Sequence, residues 1–519
     1  MGPAGLASLA ATPSAERPGV IEAVLQGPTG ESWRRQIGAW VARLVPVEFL
    51  VPETAQRWRP LVADAIQFVF SRLSARRLAD KIGEQLDLPP DTPPERRLIR
   101  LISKMPGLQK LGQVLARNPG LAEPLRKALT ELENGISDIT AAEVHAIIRE
   151  RLGSRLEQFD VQLEAELLSE ASVSAVIRFT WKNPNRERER SVFKVLKPFI
   201  PGCFAEDMSL LQQLGEYLAA REKGYTFAVH DVDEMLAEVR LLLARELDFE
   251  REQATLAEAR DTYRGSLGIR VPRVIQVLCT PEITAMSEET AIKVTDAFRR
   301  SPIRRQRIAD QLIETLIAVP LLSGQKYSVF HADPHAGNLL YDPPNRELIV
   351  LDWALAEHLS LESRRHLVNL AIMMGLENAA GVRKAIRGLR RRGSGRTRTA
   401  ERAIDRAVSR FFENLPQSHP PGVMDAMRLL DEIAMRGVHF DAPLFLFRKS
   451  LFTLDGVVQD IAGREVRMDR VIVRHFLTRW AASFGLLSSP LTWRDFLAVE
   501  WNALLYPARS WKRRLPSQH

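Results

Sequence analysis

Cysteine is scarce in this sequence: Cys203 and Cys279 are the only two among 519 residues. Two cysteines cannot build a disulfide framework, and so few thiols are typical of proteins that work in a reducing compartment. The formal net charge of +8 favours acidic partners, such as nucleotides and anionic lipids. We therefore predict a cytoplasmic protein, whose 45% hydrophobic residues are enough for ordinary globular cores.

Long apolar runs are also missing, although a membrane-spanning helix needs about 18 consecutive apolar residues. The longest candidates, 312–322 and 367–376, are interrupted by Glu314 and Asn369. Residues 1–19 lack both the basic start and the long apolar stretch of a secretory signal. We therefore expect no transmembrane segment, so that any contact with the inner membrane would be peripheral.

Glycine does not occur between Gly153 and Gly202, although this part of the sequence predicts a β-hairpin. β-Branched and aromatic residues predict strands over 173–181 and 191–196, with Asn183-Pro-Asn185 as a turn between them. An ordinary protein kinase covers the phosphates of ATP with a glycine-rich loop, because only glycine lets the backbone approach so closely. The sequence therefore excludes the usual kinase phosphate loop.

The sequence does contain His331-Ala-Asp-Pro-His-Ala-Gly-Asn338, followed by Asp352 after an apolar strand. The spacing H-x-D-x-x-x-x-N and then D is typical of a kinase catalytic loop and its metal-binding Asp. The oxygens of Asn338 and Asp352 suit Mg²⁺ that bridges the phosphates of ATP. Asp333 can orient or deprotonate a nucleophile. A loop whose residues only make turns would not need a second Asp at this distance.

Lys194 lies on the second predicted strand of the hairpin, where a kinase places the lysine that pairs with phosphates. A solvent-facing strand lysine is the alternative interpretation. Apolar residues at helical spacing predict one long helix over 231–260. A kinase needs a helical glutamate to hold the strand lysine, and Glu252 is our candidate for it.

Two further strands are predicted over 271–278 and 283–286, followed by Ser287-Glu-Glu289 as a hinge between lobes. We expect the adenine ring to stack near Met286 and to form hydrogen bonds with backbone groups of this segment. A short hairpin over 339–351 is predicted after the catalytic loop, and helices are predicted in nearly all of the chain beyond Asp352.

Three segments have unusual composition. Residues 1–30 are rich in Ala, Gly, Pro and Ser, which predicts a disordered tail. Residues 383–402 contain nine Lys or Arg, which we interpret as a mobile loop between helices. The segment 466–519 mixes tryptophans with basic residues, which is typical either of an interfacial helix or of a helical cap.

Four motifs in chain order resemble those of the UbiB/AarF/ADCK family of atypical kinase-like proteins. That family is marked by K-x-G-Q, by an alanine-rich loop in place of a glycine-rich one, by E-x-D and by H-x-D-P-H-x-G-N. In this chain the corresponding segments are Lys110–Gln113, a degenerate Ser169–Val176, Glu246–Asp248 and His331–Asn338. The resemblance runs from about residue 95 to about residue 460.

The resemblance implies a nucleotide site with ATP and Mg²⁺ as cofactors. It places Lys110 near Glu246 and Asp248 over the substrate site, and it gives Asp333 the catalytic-loop role. It implies that Asn338 and Asp352 bind the metal. The residues that it places around the nucleotide are Lys194, Glu252, Ala171, Ser172, Ser174 and Met286. Such proteins are linked to ATP hydrolysis and to isoprenoid-lipid or ubiquinone metabolism at membranes.

The fold implied by the resemblance is a bilobal, protein-kinase-like α+β fold. Its small N-lobe contains the β-strands, its C-lobe is helical, and helical extensions flank both. The predicted division, in chain order, is a tail over 1–30, a helical extension with the K-x-G-Q motif over 31–160, an N-lobe over 161–290, a C-lobe over 291–465 and a helical C-terminal extension over 466–519.

Two departures from the family pattern leave other functions open. The loop has Ala171 and Ala175 instead of consecutive alanines, and the usual Asp-Phe-Gly is Asp352-Trp353-Ala354. Because alanine allows fewer backbone conformations than glycine, a weak pseudokinase scaffold that binds nucleotide or lipid is one alternative. A small-molecule phosphotransferase is another, although the motifs at 110–113 and 246–248 argue against it.

The expected partners are nucleotide and an isoprenoid or anionic lipid at a membrane surface. We do not expect a nucleic acid as partner. The sequence leaves the phosphoryl acceptor and the oligomeric state open.

Overall fold

The computed structural model describes most of the chain in two compact units. The described residues are 12–44, 47–51, 53–110, 139–221, 224–225, 230–264, 268–391, 398–415, 421–463, 466–483 and 489–514. Unit one comprises Met1–Glu250 and Ile275–Glu288, and unit two comprises Arg251–Val274 and Glu289–His519. Each unit combines helices with a small β-sheet.

The sheet of unit one is antiparallel, with the strand order β1-β2-β3-β5. Its strands are β1 (Gln162–Glu170), β2 (Ser174–Lys182), β3 (Arg188–Leu196) and β5 (Ile283–Ser287). Alternate residues of β2 are buried over most of its length, which is the period of two of a half-buried strand. β3, which lies between β2 and β5, is buried more continuously, at residues 191–193 and 195–196. Phe179 and Phe193 stack across the pair with ring centroids 3.8 Å apart. The hairpin predicted from the sequence is therefore present.

The helices of unit one precede this sheet and follow β3. They are α1 (Arg17–Gln26), α2 (Gly30–Leu44), α3 (Val47–Leu50), α4 (Arg59–Arg72), α5 (Ala75–Leu86), α6 (Pro94–Ile102), α7 (Ala141–Leu152), α8 (Arg155–Gln158), α9 (Ile200–Ala219) and α10 (His230–Leu247). Most of them pack around one apolar core.

The predicted disordered tail over 1–30 is wrong for the part that the structure describes. Residues 17–26 form α1, whose Ile21 and Leu25 are buried in the core of unit one. The guanidinium of Arg17 pairs with Asp87, which ties the helix to the end of α5. The composition of the segment hid two apolar side chains at helical spacing, and their burial is what orders it. Residues 1–11 lie outside the described part.

The single long helix predicted over 231–260 is two helices. α10 ends at Leu247, and α11 (Phe249–Thr262) begins directly after Asp248. Aspartate is one of the residues favoured immediately before a helix start, so the sequence contains a reason for the break. Phe249 is buried against Leu243 of α10, which fixes the turn between the helices.

Unit two contains a second small sheet with the order β4-β9-β8-β6 and a separate pair, β10-β7. Its strands are β4 (Ile269–Arg270), β6 (Ile292–Lys293), β7 (Tyr327–His331), β8 (Leu339–Asp342), β9 (Glu347–Val350) and β10 (Ala356–Ser360). The strand predicted over 271–278 is wrong: β4 ends at Arg270, and Gln276–Leu278 is a 3₁₀ turn. Pro272 has no N–H for a ladder, which ends the strand there.

The remaining helices belong to unit two, except that the first two residues of α11, Phe249 and Glu250, belong to unit one. They are α11, α12 (Pro302–Ile313), α13 (Val319–Leu322), α14 (Leu361–Gly375), α15 (Ala379–Leu389), α16 (Arg398–Glu413), α17 (Val423–Ala434), α18 (Ala442–Ala462), α19 (Met468–Ser483) and α20 (Trp493–Arg514). A π-helical turn, Glu314–Ala318, connects α12 and α13. None of the helices in the described part of the chain has the length and apolar character that a bilayer crossing requires.

The basic run over 383–402 is mostly helical, contrary to the predicted loop. It begins inside α15 and ends inside α16, and residues 392–397 between them lie outside the described part. Arg387 of α15 and Arg390, the residue directly after α15, pair with Glu401 of α16 at 2.7 and 2.8 Å. The run of basic residues was a poor indicator of a loop, because the acidic partners of these residues lie on the neighbouring helix and allow a helical segment.

Candidate active site

A buried histidine organises the catalytic loop of unit two. His331 ends β7, and its Nε2 lies 3.0 Å from the carbonyl oxygen of Leu351 and 2.8 Å from that of Asp352. Its Nδ1 accepts a hydrogen bond from the backbone N–H of Asp333 at 3.2 Å. Because carbonyl oxygens only accept, Nε2 carries the proton, and burial lowers the pKa of His331 so that the ring is neutral. One side chain thus connects the backbones of Asp333 and Asp352.

The β8–β9 hairpin brings Asn338 next to the segment that leads to Asp352. Leu339 pairs with Val350 in the hairpin, and the N–H of Leu351 donates to the carbonyl of Asn338 at 2.9 Å. The side-chain N–H of Asn338 donates to the carbonyl of Asp333 at 3.4 Å, which leaves its amide oxygen as the atom able to bind a cation. The two predicted metal ligands therefore lie at the same end of one hairpin.

Asp352 has a left-handed backbone, with φ at +52°. Its carboxylate accepts a hydrogen bond from the N–H of Ala354 at 3.4 Å, which starts a 3₁₀ turn over Trp353–Leu355. Trp353 is fully buried, donates from its ring N–H to the carbonyl of Val350 and packs edge-on against His331. These contacts fix the backbone on both sides of the carboxylate.

The donor atoms of this site fit magnesium. Asn338 and Asp352 offer an amide oxygen and carboxylate oxygens, the hard ligands that Mg²⁺ prefers, and magnesium usually takes only one or two such ligands from the protein. Within the described ranges, no group of three or more His, Cys, Asp or Glu side chains is placed to hold a metal ion. The two residues would hold Mg²⁺ together with phosphate oxygens and water.

Asp333 lies beside a lysine that sequence reasoning missed. Asp333 is only 6% exposed, and its carboxylate lies 3.6 Å from the ammonium of Lys449, which belongs to α18. The sequence offers no sign of this pair, because Lys449 is far from the catalytic loop along the chain. Only the packing of α18 in unit two brings the two charges together.

Lys194 lies in unit one, in the middle of the sheet. It is paired with Val176 on one side and with Thr284 on the other, and its ammonium lies over the ring of Phe249 at 5.4 Å. Glu252 is a residue of unit two and is buried. The pairing of Lys194 with Glu252 stays a prediction.

The turn that replaces the glycine-rich loop is tied to the sheet of unit one. The N–H of Ala171 donates to the carbonyl of Ser174 at 2.8 Å, across the turn that contains Ser172. Lys197, which directly follows β3, donates its N–H to the carbonyl of Val173 at 3.0 Å. Its fully buried ammonium lies 2.7 Å from the carboxylate of Glu170. Nothing in the sequence singles out Lys197, because a lysine at a strand end is normally solvated.

The structure brings Lys110 and Glu246 together. The ammonium of Lys110 forms an ion pair with the carboxylate of Glu246, and both side chains are largely buried in unit one. Asp248 follows at the break between α10 and α11. Residues 111–113, which complete the K-x-G-Q motif, lie outside the described part of the chain.

Met286 lies on β5, paired with Val192 of β3. Two residues later Glu288 pairs with Arg178 at 2.6 Å, and the chain then passes from unit one to unit two. The hinge and the adenine contact at this segment stay predictions.

Comparison with known proteins identifies the class. Residues 131–386 match the ABC1 atypical kinase-like domain. This part of the chain is therefore an ABC1 atypical kinase-like domain, and the bilobal kinase-like α+β class predicted from the sequence is confirmed. The resemblance to the UbiB/AarF/ADCK group that the four motifs predicted is confirmed by this match and by relatives named probable protein kinase UbiB and ACTIVITY OF BC1 COMPLEX KINASE 7.

Relatives from bacteria and a plant share this domain. A probable protein kinase UbiB of Pseudomonas entomophila is 25% identical over 379 residues, which cover 72% of this chain and 68% of the relative. An uncharacterized protein of Mycobacterium tuberculosis is 28% identical over 284 residues, 53% of this chain and 56% of the relative. The chloroplastic protein ACTIVITY OF BC1 COMPLEX KINASE 7 of Arabidopsis thaliana is 25% identical over 268 residues, 51% of this chain and 37% of the relative.

The chain spans about half of the length of most of the curated relatives that it matches. Among solved structures, the complex of Rv3197 with erythromycin from Mycobacterium tuberculosis gives a TM-score of 0.41 at 18% identity, over 72% of this chain and 97% of that chain. That similarity is too low to bear on function.

Proposed function

We propose that the chain is an ATP-binding, Mg²⁺-dependent atypical kinase or ATPase that supports ubiquinone or other isoprenoid-lipid metabolism. The observation that carries the proposal is the convergence of Asp333, Asn338 and Asp352 around buried His331 in unit two. Three oxygen-bearing side chains held by backbone contacts supply what phosphoryl transfer requires of a protein, namely positioning and charge.

Each residue would have one role in this mechanism. When bound, Mg²⁺–ATP would supply the phosphoryl group and a positive charge that offsets the negative charge of the phosphates. Asn338 and Asp352 would hold the metal, and Asp333 would accept a hydrogen bond from the acceptor hydroxyl or water and orient it. Lys194 would contact the phosphates, with Glu252 as the residue that holds it. Lys110, Glu246 and Asp248 would control access of the acceptor.

The experiment that tests the proposal compares Asp352→Asn with Asp342→Asn. Both substitutions remove one charge from the same hairpin, but Asp342 lies at its other end, paired with Arg270 at 2.8 Å. ATP hydrolysis is measured with anionic vesicles and a quinone-precursor mimic. We expect Asp352→Asn to lower turnover by about a hundredfold or more, because it removes a metal ligand, and Asp342→Asn to keep it. Unchanged turnover in Asp352→Asn contradicts the catalytic assignment.

A pseudokinase scaffold is the second candidate function. The observation that favours it is the rigid setting of Asp352, which is fixed by buried Trp353 and followed by Ala354 where glycine is usual. If Asp352 cannot move, the protein would bind nucleotide but would hydrolyse it slowly. This alternative predicts thermal stabilisation by nucleotide without sustained phosphate release. Product analysis of the same assay separates the two, and it also detects transfer of phosphate to a soluble alcohol.

We also propose that the protein meets an anionic lipid surface through α20. Its apolar stripe consists of Trp493, Leu497 and Trp501, spaced by four residues, and these side chains are 57%, 54% and 64% exposed. Asp495 on another face of the helix is paired with Arg365 of α14 at 2.6 Å. The contact of Asp495 with Arg365 therefore turns the tryptophans away from α14.

Charge and neighbouring side chains favour lipid as the occupant of this stripe. The sequence of α20 contains five basic and two acidic residues, and basic residues near an anionic membrane contribute about 1 kcal/mol each. Val473 and Leu477 of α19 are also about half exposed, and Phe476 of α19 stacks on Phe496 of α20. Tryptophan beside basic residues is typical of helices that lie in a membrane interface. A peripheral position on the inner membrane is consistent with this surface.

A further inference from the structure

The catalytic loop contains no strong cation of its own. From His331 to Asp342 the sequence has no lysine or arginine. His335 does not replace one, because its Nδ1 accepts a hydrogen bond from the N–H of Gly337 at 3.1 Å, which turns the ring toward its own backbone. Phosphoryl transfer places negative charge on the transferred group and next to the catalytic Asp, and enzymes compensate it with lysine, arginine or metal.

Lys449 brings a cation to this point from a different element. Its ammonium lies 3.6 Å from Oδ2 of Asp333. The two side chains are only 16% and 8% exposed, so the charges are mostly withdrawn from water. An exposed ion pair contributes little because water screens it, whereas a pair in a less polar setting interacts more strongly. The burial of both partners separates this pair from an ordinary surface contact.

The backbone around Lys449 is fixed to the strand that carries the catalytic loop. The hydroxyl of Ser450 donates to the carbonyl of His331 at 2.7 Å. Phe447 packs edge-on against Phe330 of β7, with centroids 5.3 Å apart. Leu451 is fully buried on the same helix. Residues on both sides of Lys449 therefore contact the core or β7, and the ammonium has a defined position relative to Asp333.

We propose that Lys449 is a positioning residue for Asp333. It holds the carboxylate by Oδ2 in the orientation in which the other carboxylate oxygen accepts the hydrogen bond of the acceptor hydroxyl or water. Lys449 of α18 thereby supplies the positive charge beside Asp333 that no lysine or arginine of the catalytic loop supplies. The inference rests on the proposed function, because the acceptor hydroxyl belongs to that reaction.

The test measures kcat and KM for Mg²⁺–ATP in Lys449→Met, Lys449→Arg, Asp333→Asn and the double variant Lys449→Met/Asp333→Asn. Arg448→Met is the matched control, since Arg448 is the neighbouring cation on α18 and pairs instead with Asp431. We expect Lys449→Met to lower kcat by about a hundredfold while KM changes less than about twofold. Lys449→Arg restores most of the rate, and Arg448→Met keeps the wild-type value.

The double variant decides whether Lys449 acts through Asp333. Residues that work as one unit have non-additive effects, so adding Lys449→Met to Asp333→Asn should cause little further loss. Wild-type kcat in Lys449→Met overturns the proposal. A double variant that loses the product of the two single effects also overturns it, because Lys449 would then act independently.

Urea unfolding of the same variants gives a readout that does not depend on turnover. If the two side chains interact, the shifts in unfolding midpoint of the single variants and the double variant are non-additive. Additive shifts contradict the pair even in a protein without catalytic activity. A wild-type protein that does not hydrolyse ATP would contradict the proposed function alone, and the urea cycle would still decide the assignment of Lys449.

Discussion

Asp352 shows how single residues define the candidate site. A left-handed backbone outside glycine costs about 1–3 kcal/mol and persists only where the surroundings determine it. Asp tolerates this conformation because its short side chain can form local hydrogen bonds, as it does here with the N–H of Ala354. His331 binds its carbonyl, and Trp353 fixes the next residue. The contacts that His331, Trp353 and Ala354 make around Asp352 therefore fix the position of its carboxylate.

The ion pair between Glu170 and Lys197 gives a prediction at the residue scale. Lys197 is fully buried, whereas the side chain of Glu170 is 12% exposed. Glu170→Gln leaves a buried ammonium without this counter-charge, so we expect a loss of about 3–5 kcal/mol in unfolding free energy. Lys197→Met leaves a carboxylate that can reach water and should cost less. Urea unfolding measures both.

The order of the two losses is the decisive outcome of that experiment. A greater loss in Lys197→Met than in Glu170→Gln would contradict the pairing. Hydrogen exchange over residues 169–175 supplies a local control. We expect exchange of the amides in this turn to accelerate in both variants, because the turn that replaces the glycine-rich loop depends on this contact.

The β8–β9 hairpin is the element that brings the proposed metal ligands together. Its short turn joins two strands whose pairing places Leu339 opposite Val350, so the residues just outside the pair, Asn338 and Asp352, come to one end. Hairpin register fixes such neighbours without any contact between their side chains. The site therefore depends on the hairpin pairing as much as on its ligands.

The apolar stripe of α20 gives a prediction at the scale of one element. We expect the triple variant Trp493→Ala/Leu497→Ala/Trp501→Ala to bind anionic vesicles at least about tenfold more weakly, because each large apolar side chain contributes about 1.5–3 kcal/mol when it leaves water. Vesicle sedimentation with anionic and with neutral lipid measures the effect. Raised salt should weaken the binding of the wild-type protein to anionic vesicles.

Matched controls for this variant exist elsewhere in unit two. Ile303 and Met435 are 71% and 80% exposed and lie on other elements. Their replacement by alanine removes exposed apolar surface without touching α20, so binding should be unchanged. Equal losses in the stripe and control variants would mean that the stripe is not the lipid contact.

At the scale of the whole molecule, nucleotide binding should be visible as stability. A ligand that binds only the folded protein stabilises it by RT ln(1 + [L]/Kd), about 2.7 kcal/mol at a concentration of 100 Kd. We expect ATP with Mg²⁺ to raise the Tm and EDTA to remove most of the shift, since the proposed role of Asn338 and Asp352 is to hold the metal. Differential scanning calorimetry measures the shift in Tm. A shift that is the same in EDTA would contradict the assigned metal ligands.

Motif spacing allowed much of the fold and site to be predicted. The hairpin that carries Lys194, the catalytic loop and the later Asp352 are all local patterns, and the four motifs in order identified the kinase-like class. Local sequence patterns gave wrong predictions where long-range packing decides the conformation. α1 is ordered because it packs in a core that the composition of residues 1–30 does not indicate. The basic run is mostly helical, and ion pairs connect α15 with α16. The prediction of a strand that starts at Val271 was wrong, although Pro272, which argues against a strand, was visible in the sequence.

The sequence by itself determined which chemistry is available, because the types and spacing of Asp333, Asn338 and Asp352 follow from covalent order alone. Only the tertiary structure decided which charges accompany them. Lys449 reaches Asp333 through the packing of α18, which lies far from the catalytic loop along the chain. Lys197 reaches Glu170 within the sheet of unit one, from the end of another strand. Contacts of that kind depend on the burial of whole apolar faces, which pairs side chains that no local pattern relates.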